Sequence, residues 1–319
     1  IMYNSKTMNV MKKVLLSISA VADMIAMTTT LSACSSDDEQ KEQGTTSKLI
    51  LDAEKADYFD AGEFGTRAIS LSDDEMAINT AWQTTDVVTV FKDNWQSKIG
   101  ELNPHPEKVP AGSSPQRTKL EGYITYNNLK AGDALNLIYP RPDWKYTGQK
   151  GTIEDISKNF DYITANINVV YIDTNDSGNP VYSTTALFGK AQQTIVRFTL
   201  LKTDGTALVV PELSITSAGN QLVKACSLNG TATEKGGALV ITPASPTNVF
   251  YVAIRNDNEG ADQYTLTATV DGKLYTYTRS DITLYRGNYK KVKIWMKYYD
   301  DTYTERDAYY NEDGEEVWQ

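Results

Sequence analysis

The chain has 319 residues, 40% of them hydrophobic, and a formal net charge of −10 at neutral pH. So acidic a balance argues against nucleic acid as a partner, because that affinity comes chiefly from Lys and Arg neutralising phosphates. A single histidine excludes any multi-histidine zinc site.

Met11-Lys12-Lys13 opens a basic n-region, and the ten residues before it read as upstream of the natural start. Val14 to Thr30 is mostly apolar, but Asp23 interrupts it. The uninterrupted runs fall well short of the ~18 to 20 residues of a spanning helix, so the segment reads as a signal peptide. It ends in Leu31-Ser32-Ala33-Cys34, the pattern at which a bacterial lipoprotein precursor is cleaved and its cysteine lipidated. Removal of residues 1–33, with Lys6, Lys12, Lys13 and Asp23, takes the charge from −10 to −12. With Cys34 lipidated, Cys226 is the remaining thiol, and no internal disulfide forms.

Residues 34–47 are polar and acidic, with little to bury, and read as a flexible tether. Ser35-Ser36-Asp37-Asp38-Glu39 is either an ordinary solvated linker or a signal that sends lipoproteins to the outer face of the outer membrane. Lys48-Leu49-Ile50-Leu51-Asp52-Ala53 follows as a short apolar strand.

From there the signal is almost entirely strand. Runs rich in Val, Ile, Thr and Tyr recur at 86–91, 134–139, 166–172, 194–201, 249–255 and 264–270. Asp204-Gly205 and Asp271-Gly272 lie between such runs and supply the positive φ angles of tight antiparallel hairpins. Only 153–159 suggests a helical turn. The class is all-β with sandwich architecture, and the chain is long enough for two tandem β-sandwich domains, 48–192 and 193–299. An extension, 300–319, carries eight acidic residues against Arg306.

Reactive chemistry is scarce. His105 is held between Pro104 and Pro106, a poor place for a catalytic base. There is no nucleophile elbow, no phosphate-cradling glycine loop and no dinucleotide fingerprint. Asp173 to Gly178 begins like a calcium loop, yet its twelfth position is Thr184 rather than a bidentate Glu, so no metal or other cofactor is assigned. Trp144-Lys145-Tyr146 and Tyr298-Tyr299 could stack on sugar rings or simply fill a pleated surface.

Several segments, in order, resemble the fimbrillin family of lipoprotein-precursor pilins, the type V pilus subunits. They are Thr66-Arg67, Thr80-Ala81-Trp82, Asp86 to Phe91, Gly132 to Tyr139-Pro140, Gly151 to Ile156 and Phe160 to Ala165. The second half adds Ile241-Thr242-Pro243, Val249 to Ala253 and Tyr285-Arg286-Gly287-Asn288-Tyr289. The series spans about Thr66 to Lys293. The resemblance implies transthyretin-like, Greek-key sandwiches and a non-enzymatic pilus subunit, anchored first in the outer membrane through its lipid. It implies a trypsin-like maturation protease cutting between Arg67 and Ala68, which releases a removable first strand centred on Leu49, Ile50 and Leu51. Other pilin subunits are then the partners, each groove being filled by a neighbour's donor strand. The candidate donor residues lie near the C-terminus: Val292 and Ile294 in the alternating run from Lys290, and Val317 and Trp318 in the acidic extension. That extension reads equally as a solvated tail without a partner. The competing class is a surface glycan-binding lipoprotein of a nutrient-uptake system. The strand-exchange scheme requires Leu49 to Leu51 to be paired and covered, with Arg67 accessible.

Overall fold

A computed structural model of the chain describes residues 46–55, 70–71, 78–125, 129–175, 179–189, 191–258, 260–298, 307–310 and 316–318. β1 (Thr46–Lys55) is followed by a small pair, β2 (Ser70–Leu71) and β3 (Ile78–Asn79). Then come β4 (Val88–Lys92), β5 (Ser97–His105), β6 (Arg117–Thr125), β7 (Ala134–Tyr139), helix α1 (Ile153–Asn159), β8 (Ile163–Asn168), β9 (Val170–Thr174) and β10 (Pro180–Phe188). These strands, less the small pair, form one sheet in the order β8-β7-β4-β5-β6-β1-β10-β9.

Within it every neighbouring pair is antiparallel except β1 and β10, which run parallel. The sheet curls until β10 packs against β8. There the Gly189 N–H donates to the Thr164 carbonyl at 3.2 Å. Gly122 permits a close approach of β5 and β6, since a Cβ there would stand 2.1 Å from the Glu101 carbonyl oxygen. α1 is short and capped at its start, where the Asp155 N–H donates to the Thr152 hydroxyl at 3.2 Å.

The chain passes into a second sheet between Phe188 and Thr194. Its strands are β11 (Thr194–Lys202), β12 (Leu213–Ser217), a separate pair β13 (Val223–Cys226) and β14 (Ala232–Lys235), then β15 (Leu239–Ile241), β16 (Val249–Ile254), β17 (Asp262–Val270), β18 (Lys273–Ile282) and β19 (Tyr289–Tyr298). Two short strands, β20 (Asp307–Tyr310) and β21 (Glu316–Trp318), complete the series. The order is β15-β12-β17-β18-β19-β11-β16, with β20 against β19. β18 and β19 are registered only at Tyr275↔Tyr298 and Thr276↔Lys297. Beyond those positions they part, so that β15-β12-β17-β18 faces β19-β11-β16 across an apolar cleft of about 700 Å³. A continuous buried core runs from Leu49 in β1 to Met296 in β19.

Two strand expectations are revised. The run 166–172 is two strands rather than one. Val169 breaks it, because its N–H donates to the Asp133 carbonyl at 3.0 Å and its own carbonyl accepts from Gly132 at 2.7 Å. Asp204-Gly205 turns the chain but does not join two strands. The returning chain runs antiparallel to β11 through one bridge, Leu201↔Ala207, flanked by bonds from the Lys202 N–H to the Thr206 carbonyl at 2.8 Å and from the Leu208 N–H to the Leu200 carbonyl at 3.0 Å. It goes no further because β16 already occupies that edge of β11 from Thr194 to Thr199. Asp271-Gly272 does join β17 to β18, with φ of +50° and +75°. Both angles are what a tight hairpin of this hand demands.

Candidate functional site

The side chains of β1 alternate between half-buried and buried along all ten residues. Leu49 and Leu51 are wholly inaccessible to solvent, and Ser47, Ala53 and Lys55 are nearly so. Such alternation is what period-2 geometry produces in a strand with one face on a core. β1 is registered with β6 over nine positions, from Thr46↔Thr125 to Glu54↔Arg117. It is registered with β10 over eight, from Lys48↔Val181 to Lys55↔Phe188. Among the described residues, β1 alone bridges β6 and β10 in the sheet order. Ion pairs tie the less buried face of β1 to β6: Lys48 to Glu121 at 3.0 Å, Asp52 to Lys119 at 2.6 Å and Glu54 to Arg117 at 3.7 Å.

The sequence reading overlooked the last residue of β1. Lys55 sits on the same face as the leucines, and its side chain is 2% exposed. Its ammonium stands 4.0 Å from the ring centroid of Trp82, 3.8 Å from that of Tyr139 and 3.5 Å from Asp86 Oδ2. Asp86 is itself held in place. Its Oδ1 accepts from the Tyr139 hydroxyl at 3.1 Å, and its Oδ2 accepts from the Gln83 N–H at 3.0 Å. Trp82 meets both Tyr139 and Phe188 edge to face, at 5.6 and 5.5 Å. Trp82, Asp86 and Tyr139 are three residues that the family resemblance picked out separately, and the fold gathers them around one cation. The signal was available, since continuing the alternation of Leu49, Leu51 and Ala53 by two residues places Lys55 inward.

The remaining named residues fall as follows. Ile50 lies half-buried on the opposite face of β1. Cys34, Arg67 and Ala68 lie outside the described residues. Val292 and Ile294 are in β19, paired in parallel with Phe198 and Leu200 of β11. Val317 is registered with Tyr309, and Trp318 with Ala308, of β20. β20 in turn meets β19 at Val292, Lys293 and Ile294.

Trp144 and Tyr146 are buried, which removes them as a sugar platform. Trp144 stacks on Tyr162 with centroids 5.2 Å apart, and its Nε1–H donates to the Tyr146 hydroxyl at 3.0 Å. Burial pushes the Tyr146 phenol far up, so it stays neutral. Cys226 is a half-buried free thiol, and burial raises it as well. Strong thiolate character is thus not built into this position.

No family model matches the chain, and no curated protein matches it. Solved structures do. A candidate cell adhesion protein from Bacteroides ovatus aligns at 13% identity and a TM-score of 0.42, covering 81% of this chain and 95% of its own. A fimbrial assembly protein from Parabacteroides distasonis aligns at 12% and 0.38, covering 86% and 98%. The fimbrial anchor protein Mfa2 from Porphyromonas gingivalis aligns at 11% and 0.38, covering 85% and 99%.

Proposed function

We propose that this chain is a non-enzymatic structural subunit of a bacterial cell-surface pilus, of the fimbrillin type, exported as an outer-membrane lipoprotein through Cys34. Proteolysis between Arg67 and Ala68 frees β1, and a strand from a neighbouring subunit replaces it. The observation that carries this reading is the position of β1. It is a central strand of its sheet, yet it comes first among the described strands, so one cut behind it severs its covalent link to every described strand that follows. β11 holds the corresponding place in the second sheet, antiparallel to β16 and parallel to β19, but the chain continues from both of its ends. One cut could not release it.

The energetics favour refilling. Burying two leucines is worth about 3 to 6 kcal/mol, a large part of the whole stability of a typical domain. Removing β1 also strands the inward backbone groups of both β6 and β10. An emptied seat is therefore a strong acceptor for any strand of matching pattern. Of the candidate donors, Val292 and Ile294 are committed to their own sheet through eight registered positions with β11. The β20–β21 segment, attached to β19 at three positions, is the least held part of the C-terminal end.

A cross-strand lock tests the reading. Ile50→Cys with Glu121→Cys, directly registered on β1 and β6, is placed in a chain whose Cys34 and Cys226 are serine. After cleavage behind β1, the oxidised protein should keep the β1 fragment and refuse a fluorescent peptide of residues 46–55, and the reduced protein should exchange β1 for that peptide. Equal uptake of the peptide by both forms, or by neither, would defeat the proposal.

A further inference from the structure

We infer that the β1 seat selects its incoming strand by charge: it accepts an alternating apolar strand that carries lysine or arginine at the position of Lys55. The inference rests on the strand-exchange reading of the same seat and adds the chemistry of the partner.

The argument starts from what remains when β1 leaves. Leu49, Leu51 and Ala53 vacate apolar sites that many strands could fill. Lys55 vacates a different kind of site, two aromatic faces and a carboxylate that together enclosed an ammonium. Aromatic faces attract cations through the ring quadrupole, and the effect grows when water is excluded. Asp86 cannot easily turn away, because the Tyr139 hydroxyl and the Gln83 N–H fix its two oxygens. A neutral residue in the seat forfeits both attractions. An acidic residue faces Asp86 at close range in a poorly hydrated pocket, where like charges repel strongly. Discrimination of this kind works by penalising wrong strands as much as by rewarding the right one.

The expected signature of the partner is thus an apolar residue at positions i and i+2, a small one at i+4 and a cation at i+6, as in Leu49, Leu51, Ala53 and Lys55. The acidic extension of this chain meets it poorly. Arg306 is its only cation, and none follows up to Val317 and Trp318. With Arg306 at the cation position and the strand running opposite to β1, Ala308 falls on the Ala53 seat, but Glu312 falls on that of Leu49. The occupant we assign is consequently a strand from a different polypeptide, rather than the tail of a second copy.

The test uses the full chain with residues 62–67 replaced by the recognition sequence of a site-specific protease. After cutting, fluorescent peptides compete for the seat: the β1 sequence of residues 46–55, the same peptide with Lys55→Arg, Lys55→Gln or Lys55→Glu, and a tail peptide of residues 303–318. Lys and Arg peptides should bind alike, Gln about thirtyfold more weakly, and Glu and the tail more weakly still. In an Asp86→Asn acceptor, the gap between the Lys and Gln peptides should shrink. Equal entry of all the β1-derived peptides, or tail binding as tight as that of the β1 peptide, would overturn the charge rule while leaving strand exchange intact. If no peptide enters and β1 never leaves, strand exchange itself fails and takes the rule with it.

Discussion

The side chain of Gln149 pairs with the backbone of Ala253 as an adjacent strand would. Its Nε2 donates to the Ala253 carbonyl and its Oε1 accepts the Ala253 N–H, both at 2.8 Å. Ala253 lies in β16, the terminal strand of the second sheet, so a residue from the first half of the chain closes an edge of the second. The Tyr251 N–H adds a bond to the Gly151 carbonyl at 2.9 Å.

Gln149→Ala should therefore cost more than an ordinary side-chain truncation. It takes this partner from the Ala253 N–H and from the carbonyls of Ala253 and Tyr146, all buried, a loss of about 2 to 4 kcal/mol. Urea unfolding is the check, with a lower midpoint and an unchanged slope.

Gly151→Ala should destabilise for a separate reason. The backbone there has φ of +73°, and an added Cβ would meet Phe250 at 3.0 Å and Ile241 at 3.2 Å. A residue forced into left-handed backbone costs about 1 to 2 kcal/mol before any clash is counted. Thermal unfolding should show the loss, and Gly148→Ala makes a control, having a similar φ but open space around it.

Asp86→Asn should weaken the hold on β1 by removing the charged partner of a buried ammonium. The pair is nearly but not fully enclosed, so the loss should be about 2 kcal/mol, below the usual range for a buried ion pair. Hydrogen exchange along residues 48–55 should rise more than exchange along β11.

Acid should loosen β1 as well. Partial burial pushes the Glu121 carboxyl up, but hydrogen bonds from Lys108 and Lys48 outweigh it and leave the carboxyl below its ordinary value of 4.5. A carboxylate with a depressed folded pKa contributes stability above its unfolded value, and that contribution fades as the pH falls through the folded one. Stability measured downward from pH 5 should fall, and Glu121→Gln should make the decline shallower.

Removing residues 300–319 should barely change the unfolding midpoint, since β20 meets β19 at only three positions. The stretch of β19 left bare should instead raise self-association, as open sheet edges do. Light scattering across a concentration series is the measurement. Identical behaviour of the full and shortened chains would count against a covering role for β20.

The strand content was legible because period-2 alternation and turn chemistry are local. Ala134 to Tyr139 and the helix at 153–159 have the bounds read from the chain alone. The break at Val169 was not legible, because it depends on hydrogen bonds to Gly132 and Asp133 from a separate loop. The burial of Trp144 was equally hidden, since Tyr162, which stacks on its ring, and Arg255, whose guanidinium stands 5.0 Å from the ring centroid, are distant in sequence.

The amino-acid order by itself determined that β1 is a strand with one apolar face, because side-chain direction along a strand follows from backbone geometry alone. Only the tertiary structure decided that this strand lies between β6 and β10, and that its final lysine meets Trp82, Tyr139 and Asp86. Sheet order and aromatic enclosure are long-range pairings, and no local pattern encodes which distant segment will stand beside which.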